Sequence, residues 1–222
     1  MRASREAART AAVATLGVAG LAVSATAASY SLWRGRCLTW GAIPSEVEAV
    51  LPGDDLLPEP DIVTTRAIGI AASVEMVWPW LLQMGPGRAG AYTYDWIENI
   101  LGLNMHSADA IIPELQQLSV GDAWRLGSGP VLRVACLEPQ RALVLRSDDG
   151  NWVWALVLEP GTVMDRLISR NRIAMPGAPW LQRAFARYLM EPGSLIMERK
   201  MLLGIKSRAE RLAAASPSGT PS

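Results

Sequence analysis

Residues 131–173 read VLRVACLEPQRALVLRSDDGNWVWALVLEPGTVMDRLISRNRI. Short apolar or alternating runs are cut by Pro139-Gln140, Asp148-Asp149-Gly150 and Pro160-Gly161. Runs of this length between tight turn signals are strands joined as hairpins, and so antiparallel neighbours. The spacing predicts strands at about 131–138, 141–148, 151–159 and 162–173, with one more at about 121–126 before the turn Gly127-Ser128-Gly129-Pro130. Trp152, Trp154, Leu156 and Leu158 then share one face, and Val153, Ala155 and Val157 the other.

Upstream, 62–70 alternates as a further strand. Ser73 can cap a helix over 74–84, against which Pro79 counts as a fault, and a second helix fits about 93–101. Downstream, helical spacing covers about 179–190 and 194–213, broken by Pro192-Gly193 with Ser194 as a cap. Strand, two helices, antiparallel meander and a long last helix make an α+β order, with helices on one face of a curved sheet.

Three strings carry a resemblance: Val77-Trp-Pro-Trp-Leu-Leu-Gln-Met-Gly85, Arg88-Ala-Gly90 with Tyr92-Thr-Tyr-Asp-Trp-Ile-Glu-Asn99, and Met197-Glu-Arg-Lys-Met-Leu-Leu-Gly-Ile-Lys206. With the element order, they resemble a bacterial branch of the helix-grip superfamily (SRPBCC), which includes START lipid-transfer domains, polyketide cyclases and birch-type pollen allergens. The resemblance covers about 40–212. It implies a helix-grip fold, a curved antiparallel sheet wrapped on a long C-terminal helix, with a ligand cavity between them. It implies no shared chemistry.

Arg2, Arg5 and Arg9 precede an uncharged run from Thr10 to Trp33. As a helix this run reaches roughly 36 Å, enough for a bilayer core of about 30 Å. The segment 1–33 therefore reads as a single membrane anchor with its N-terminus inside, or as a signal peptide cleaved after Ala25-Thr26-Ala27 to release a secreted domain. Residues 34–61, with three prolines and four acids between Leu51 and Asp61, read as an extended linker. The folded domain is expected over 62–212, and 213–222 as a disordered tail.

Composition closes several doors. Basic and acidic side chains balance at 21 each, which excludes a nucleic-acid binder relying on a basic surface. One His and two Cys cannot build a zinc centre, so no metal and no cofactor are expected. Cys37 reads as a free thiol, with a Cys37–Cys136 bridge open only if the domain is exported. Gly85-Pro-Gly-Arg-Ala-Gly90 matches the dinucleotide fingerprint, but no parallel strand leads into it. A turn between two helices is the better reading.

The candidate ligand-binding residues fall into three groups. Gln83, Arg88, Tyr92, Tyr94, Asp95, Glu98 and Asn99 crowd hydrogen-bonding groups into one stretch, which reads either as the polar rim of a cavity or as a structural network in which Arg88 pairs with Asp95 or Glu98. Trp152 and Trp154 either line the cavity or form the core. Glu198 falls inside the apolar stripe of the last helix, formed by Leu195, Met201, Leu202, Ile205, Ala209 and Leu212. A carboxylate there needs a partner or a wet cavity, and Arg66, Arg166, Arg170 and Arg172 are the candidates. The expected partner is a hydrophobic small molecule, a lipid or polyketide-like compound, bound or transported. An enzyme of cyclase or dehydratase type using Glu98, Asp95 or Glu198 as acid or base is the alternative, and a tryptophan-filled interaction module is a third reading.

Overall fold

The computed structural model describes residues 28–100, 102–126 and 129–215. Up to Cys37 the chain forms a unit of its own, most of a helix over 28–38, in which Tyr30 Oη donates to Cys37 Sγ at 3.6 Å. Most of the run Thr10–Trp33 lies outside the described residues, as does most of the tail. Among the described residues no helix is long and apolar enough to cross a membrane. Cys37 and Cys136 are free thiols.

From Leu38 onward the core is one six-stranded antiparallel sheet. Its strands are β1 (Ile62–Ile70), β2 (Ala123–Arg125), β3 (Val131–Glu138), β4 (Ala142–Ser147), β5 (Trp152–Glu159) and β6 (Asp165–Ile173), in the order β1-β6-β5-β4-β3-β2. The four hairpins of the meander follow the turns expected of them. The closing pair is not local: β1 lies along the whole of β6, from Ile62 opposite Ile173 to Ile70 opposite Asp165. A bulge between Val134 and Cys136 shifts the β3–β4 register, a device that bends a strand.

The concave face carries Leu143, Leu145, Leu156, Leu158 and Leu167, all buried. Against it pack α2 (Val74–Gln83) and α5 (Glu191–Ala215), the latter through Met201, Leu202, Ile205 and Ala209. Pro79 sits inside α2 without breaking it. The carbonyl it leaves without a donor belongs to the exposed Glu75, where water can supply the bond. Gly204 brings α5 close to the loop before α3 (Asp95–Ile100), since a Cβ there would stand 2.5 Å from the Tyr92 carbonyl oxygen.

The last helix differs from expectation. Instead of two helices broken at Pro192, α4 (Trp180–Phe185) runs without a gap into a π-helical turn, Ala186–Met190, and on into α5. Proline lacks an N–H and crowds the carbonyl four residues back, and the widened turn just before Pro192 absorbs that misfit. Ser194 is therefore no cap: within the helix its hydroxyl donates to the Glu191 carbonyl.

The stretch read as a linker, 34–61, is folded over most of its length. After α1 (Pro44–Glu48) it lays Leu51, Leu56 and Leu57 on the convex face, against Ala67, Ala142, Val144, Val153, Ala155, Val157 and Ile168. Small side chains on the sheet let it come close. Three arginines on the convex side of β6 hold it there. Arg166 makes two bonds to the Glu46 carboxylate, at 2.6 and 2.9 Å, and Arg172 reaches Asp54 and the Leu57 and Pro58 carbonyls. The almost fully buried Arg170 donates to Thr65 Oγ1, to Asp54 Oδ2, and to the carbonyls of Glu46, Val47 and Ala49, which end α1. One guanidinium thus satisfies the C-terminus of a helix that has no other cap partner of opposite charge.

Arg170→Met leaves three carbonyls without their donor and Asp54 with only Arg172 and the Leu51 amide, and a loss of about 3 kcal/mol in urea unfolding is expected. Amide exchange should rise first over 41–58, the segment the arginine holds.

Candidate functional site

Arg66 and Glu198 meet in the middle of the molecule. On β1, positions 64, 66, 68 and 70 face α5, and Arg66 is fully buried there. Its Nη1 donates to Glu198 Oε2, and its Nη2 to Ser194 Oγ at 3.1 Å and the Glu191 carbonyl at 3.4 Å. Of the four arginines that could match Glu198, this is the one that does. Arg166, Arg170 and Arg172 lie on the opposite face of the sheet. On β6 the positions facing α5 are Leu167, Ser169 and Asn171.

Around the pair the strands supply neutral polar groups. Asn171 Nδ2 lies 3.4 Å from both Glu198 oxygens and from Thr64 Oγ1. Trp152 Nε1 donates to Asn171 Oδ1 and Trp154 Nε1 to Ser169 Oγ, each at 2.9 Å. Burial pushes the Glu198 carboxyl up, while Arg66 and the Ser169 hydroxyl oppose it. The two indoles stack with centroids 6.4 Å apart and planes 15° from parallel, and Trp124 meets Trp154 edge-on at 6.3 Å. Trp152 and Trp154 pack on the core yet keep part of their surface open to solvent. The concave face is thus wet at this end, with aromatic walls over a buried ion pair. Further along it is filled: Leu156, Leu158, Leu167, Met201, Leu202 and Ile205 close the space where a deep cavity was expected. Two surface grooves lie elsewhere, one of about 410 Å³ on the outer side of α5 beside Leu203, Ser207 and Arg211, the other beside Ala71 and Val163.

The 83–99 cluster works mainly on the chain itself. The Gln83 amide holds 110–116, donating to the Ala110 carbonyl and accepting from the Ile112 amide and from Gln116. Arg88 donates to the Leu82 and Leu115 carbonyls rather than pairing with Asp95 or Glu98, and burial lowers its pKa. Asp95 takes two bonds from Ser107, and Asn99 brackets the Met105 backbone through both ends of its amide. Tyr92 donates to the Trp80 carbonyl, lies under Arg208 at 4.7 Å, and is pushed up to about 12 by burial. Tyr94 is exposed, with Lys200 over its ring at 5.6 Å. Gly85 pairs with Gly90 across a turn that follows a helix, so the glycine pattern has no dinucleotide geometry.

Glu98 is the exception. It is buried, its Oε2 has no hydrogen-bond partner among the described residues, and burial is the main cause that raises its pKa, with Asp95 adding to it. Two residues of the central network, Ser169 and Asn171, were missed, while Arg66 was expected only as one of four candidate partners for Glu198. The signal for the missed two was polar side chains at alternate positions of an otherwise apolar strand face.

The architecture is a helix grip. At the level of fold the resemblance to the SRPBCC superfamily therefore holds, carried by the curved antiparallel sheet and the long C-terminal helix packed along it. No family model matches the sequence, and no curated protein matches it. Among solved structures, a Mesorhizobium loti protein is 17% identical with TM-score 0.40, over 68% of this chain and 98% of its own. A polyketide-cyclase-like protein of Corynebacterium glutamicum is 17% identical with TM-score 0.35, over 74% and 99%. The Aha1 dimer of Colwellia psychrerythraea is 16% identical with TM-score 0.37, over 67% and 96%. At such identities and scores the likenesses carry nothing about ligand or reaction, and the helix grip must be read from its own residues.

Two outcomes are expected. Arg66→Met and Glu198→Leu, each removing one member of the buried ion pair, should cost about 3–5 kcal/mol in urea unfolding, while the double variant recovers most of that loss. For Glu98 the sign follows from its raised pKa: the folded state holds the proton more tightly than the unfolded one, so stability falls as pH rises from the ordinary carboxyl value through the raised one. Glu98→Gln removes this loss. Its unfolding midpoint should exceed that of the parent protein above the titration and converge with it at acid pH.

Proposed function

We propose that the protein binds a small apolar molecule with a planar or ring-bearing part, of lipid or polyketide-like class, against Trp152 and Trp154. The observation that carries this is the stacked, partly solvent-open indole pair on an inner sheet face, beside the polar groups Ser169 and Asn171. An aromatic surface left wet is a favourable contact for an apolar ring, and releasing its water supplies the driving force. Asn171, whose bonds at 3.4 Å are at the long limit, is placed to turn toward a ligand oxygen. The ligand would lie on the partly exposed indoles at the Trp end of the sheet rather than in a cavity running the length of α5.

A second reading, an enzyme of cyclase or dehydratase type, draws on the carboxyl groups that burial makes readier to hold a proton. Glu198 suits it best, because Asn171 links it to Trp152. Asp95 suits it less, since both its oxygens already accept from Ser107.

Titration with the neutral fluorescent probe N-phenyl-1-naphthylamine tests the binding reading. Probe emission should rise on mixing with the protein, and Trp152→Leu with Trp154→Leu should weaken binding by about tenfold, with the unfolding midpoint followed in parallel. Equal affinity in a folded double variant would place the ligand elsewhere. An enzyme would instead show turnover that disappears in a Glu198 variant still able to bind the probe.

A further inference from the structure

Most of the last helix buries an apolar stripe, but its first third does the reverse. Across α4 and the π-helical turn, Ala186 alone is buried. Leu181, Phe185, Tyr188 and Leu189, spaced i, i+4, i+7 and i+8, form one face and are 63%, 52%, 42% and 59% exposed. Trp180 and Met190 at either end are exposed as well. A run of large apolar side chains turned outward on one helical face is a contact surface, not a scatter of single exposures.

Charge indicates what the face meets. Between Asp165 and Glu191 the chain has no acid, and α4 with the π-turn carries Arg183 and Arg187. Arg183 bonds to Asp61 at 2.5 Å and the Met175 carbonyl at 3.0 Å, yet stays half exposed; Arg187 is exposed, with Tyr188 under it at 5.7 Å. Next along the same helix Arg199 and Lys200 are exposed, whereas Glu191 and Glu198 are buried; beyond them Lys206 is matched by Glu210, and Arg208 and Arg211 by Asp109. In a chain balanced at 21 charges of each sign, the helix therefore presents Arg187, Arg199 and Lys200 as the exposed charges nearest this apolar stripe. Two copies pairing through the face would set basic flanks together, which disfavours a second copy. An apolar stripe with aromatic ends and basic flanks matches the interface of an anionic bilayer, where rings sit at headgroup depth and arginines meet lipid phosphates.

We propose that the face formed by Leu181, Phe185, Tyr188 and Leu189 docks on the surface of an anionic lipid membrane, lying in its plane. This does not depend on what the indole pair binds. Such a contact needs no spanning segment.

Hydrogen–deuterium exchange of the full chain, read peptide by peptide, reports on 180–190 whatever the N-terminal run does. With phosphatidylcholine/phosphatidylglycerol vesicles, exchange over 180–190 should slow by about tenfold, and high salt should reverse the effect. Phe185→Asp with Leu189→Asp should abolish the protection while the unfolding midpoint stays unchanged, since both side chains are exposed in the parent. Unchanged exchange over 180–190 with these vesicles overturns the proposal. Equal protection by phosphatidylcholine alone also overturns it. Protection that needs no vesicles and grows with protein concentration assigns the face to a second copy instead.

Discussion

A guanidinium with no exposed surface, Arg66, sets the terms for the middle of this protein. An arginine keeps its charge inside a protein, and a lone charge there is too costly to tolerate. The last helix must therefore present a carboxylate at one place and in one rotation, and Glu198 meets that need. The same rotation turns Met201, Leu202, Ile205 and Ala209 onto the sheet. Apolar packing alone would let the helix slide or roll by small amounts. The buried pair allows one seating, and it keeps polar groups beneath the tryptophans where a wholly apolar core would have closed over them.

β6 does two jobs through its alternation. Its odd positions, Leu167, Ser169 and Asn171, turn to the helix; its even positions, Arg166, Arg170 and Arg172, turn to the folded segment around α1. Both faces of a central strand are thereby spoken for, and the sheet is covered on both sides. The basic and acidic counts cancel partly because of this. Glu46 and Asp54 lie against β6 arginines, so much of the acid in the early chain is matched internally.

Much of the fold was legible because turns and hairpins are local. Pro139-Gln140, Asp149-Gly150 and Pro160-Gly161 mark strand ends with backbone preferences that need no distant partner. The position of Glu198 in an apolar stripe was also legible, since helical periodicity exposes a misplaced charge. Its partner was not. The parity of β6 is hidden where Leu167 and Ile168, both apolar, stand side by side, so the arginines there could be assigned to either face. The acids and prolines of 51–61 read as a linker because their partners are more than a hundred residues away. The dense polar run 83–99 proved to be chain bracing for a similar reason: the irregular backbone at 105–116 must have its amides and carbonyls satisfied, and the side chains that do so lie in 83–99. Continuity of the last helix across Pro192 was invisible, because a π-turn has no sequence signature of its own.

The sheet's closing pair has a consequence for how the chain is made. β1 is synthesised early, but β6, its one sheet neighbour among the described residues, follows nearly a hundred residues later. At about 5–20 residues per second, a ribosome takes on the order of ten seconds to supply it. Through that interval β1 has an unpaired edge and Arg66 no carboxylate, since Glu198 emerges later still. The fold cannot settle piece by piece from its N-terminus. It waits for nearly the whole domain, so its biogenesis favours conditions that keep a nascent strand edge from other chains for those seconds.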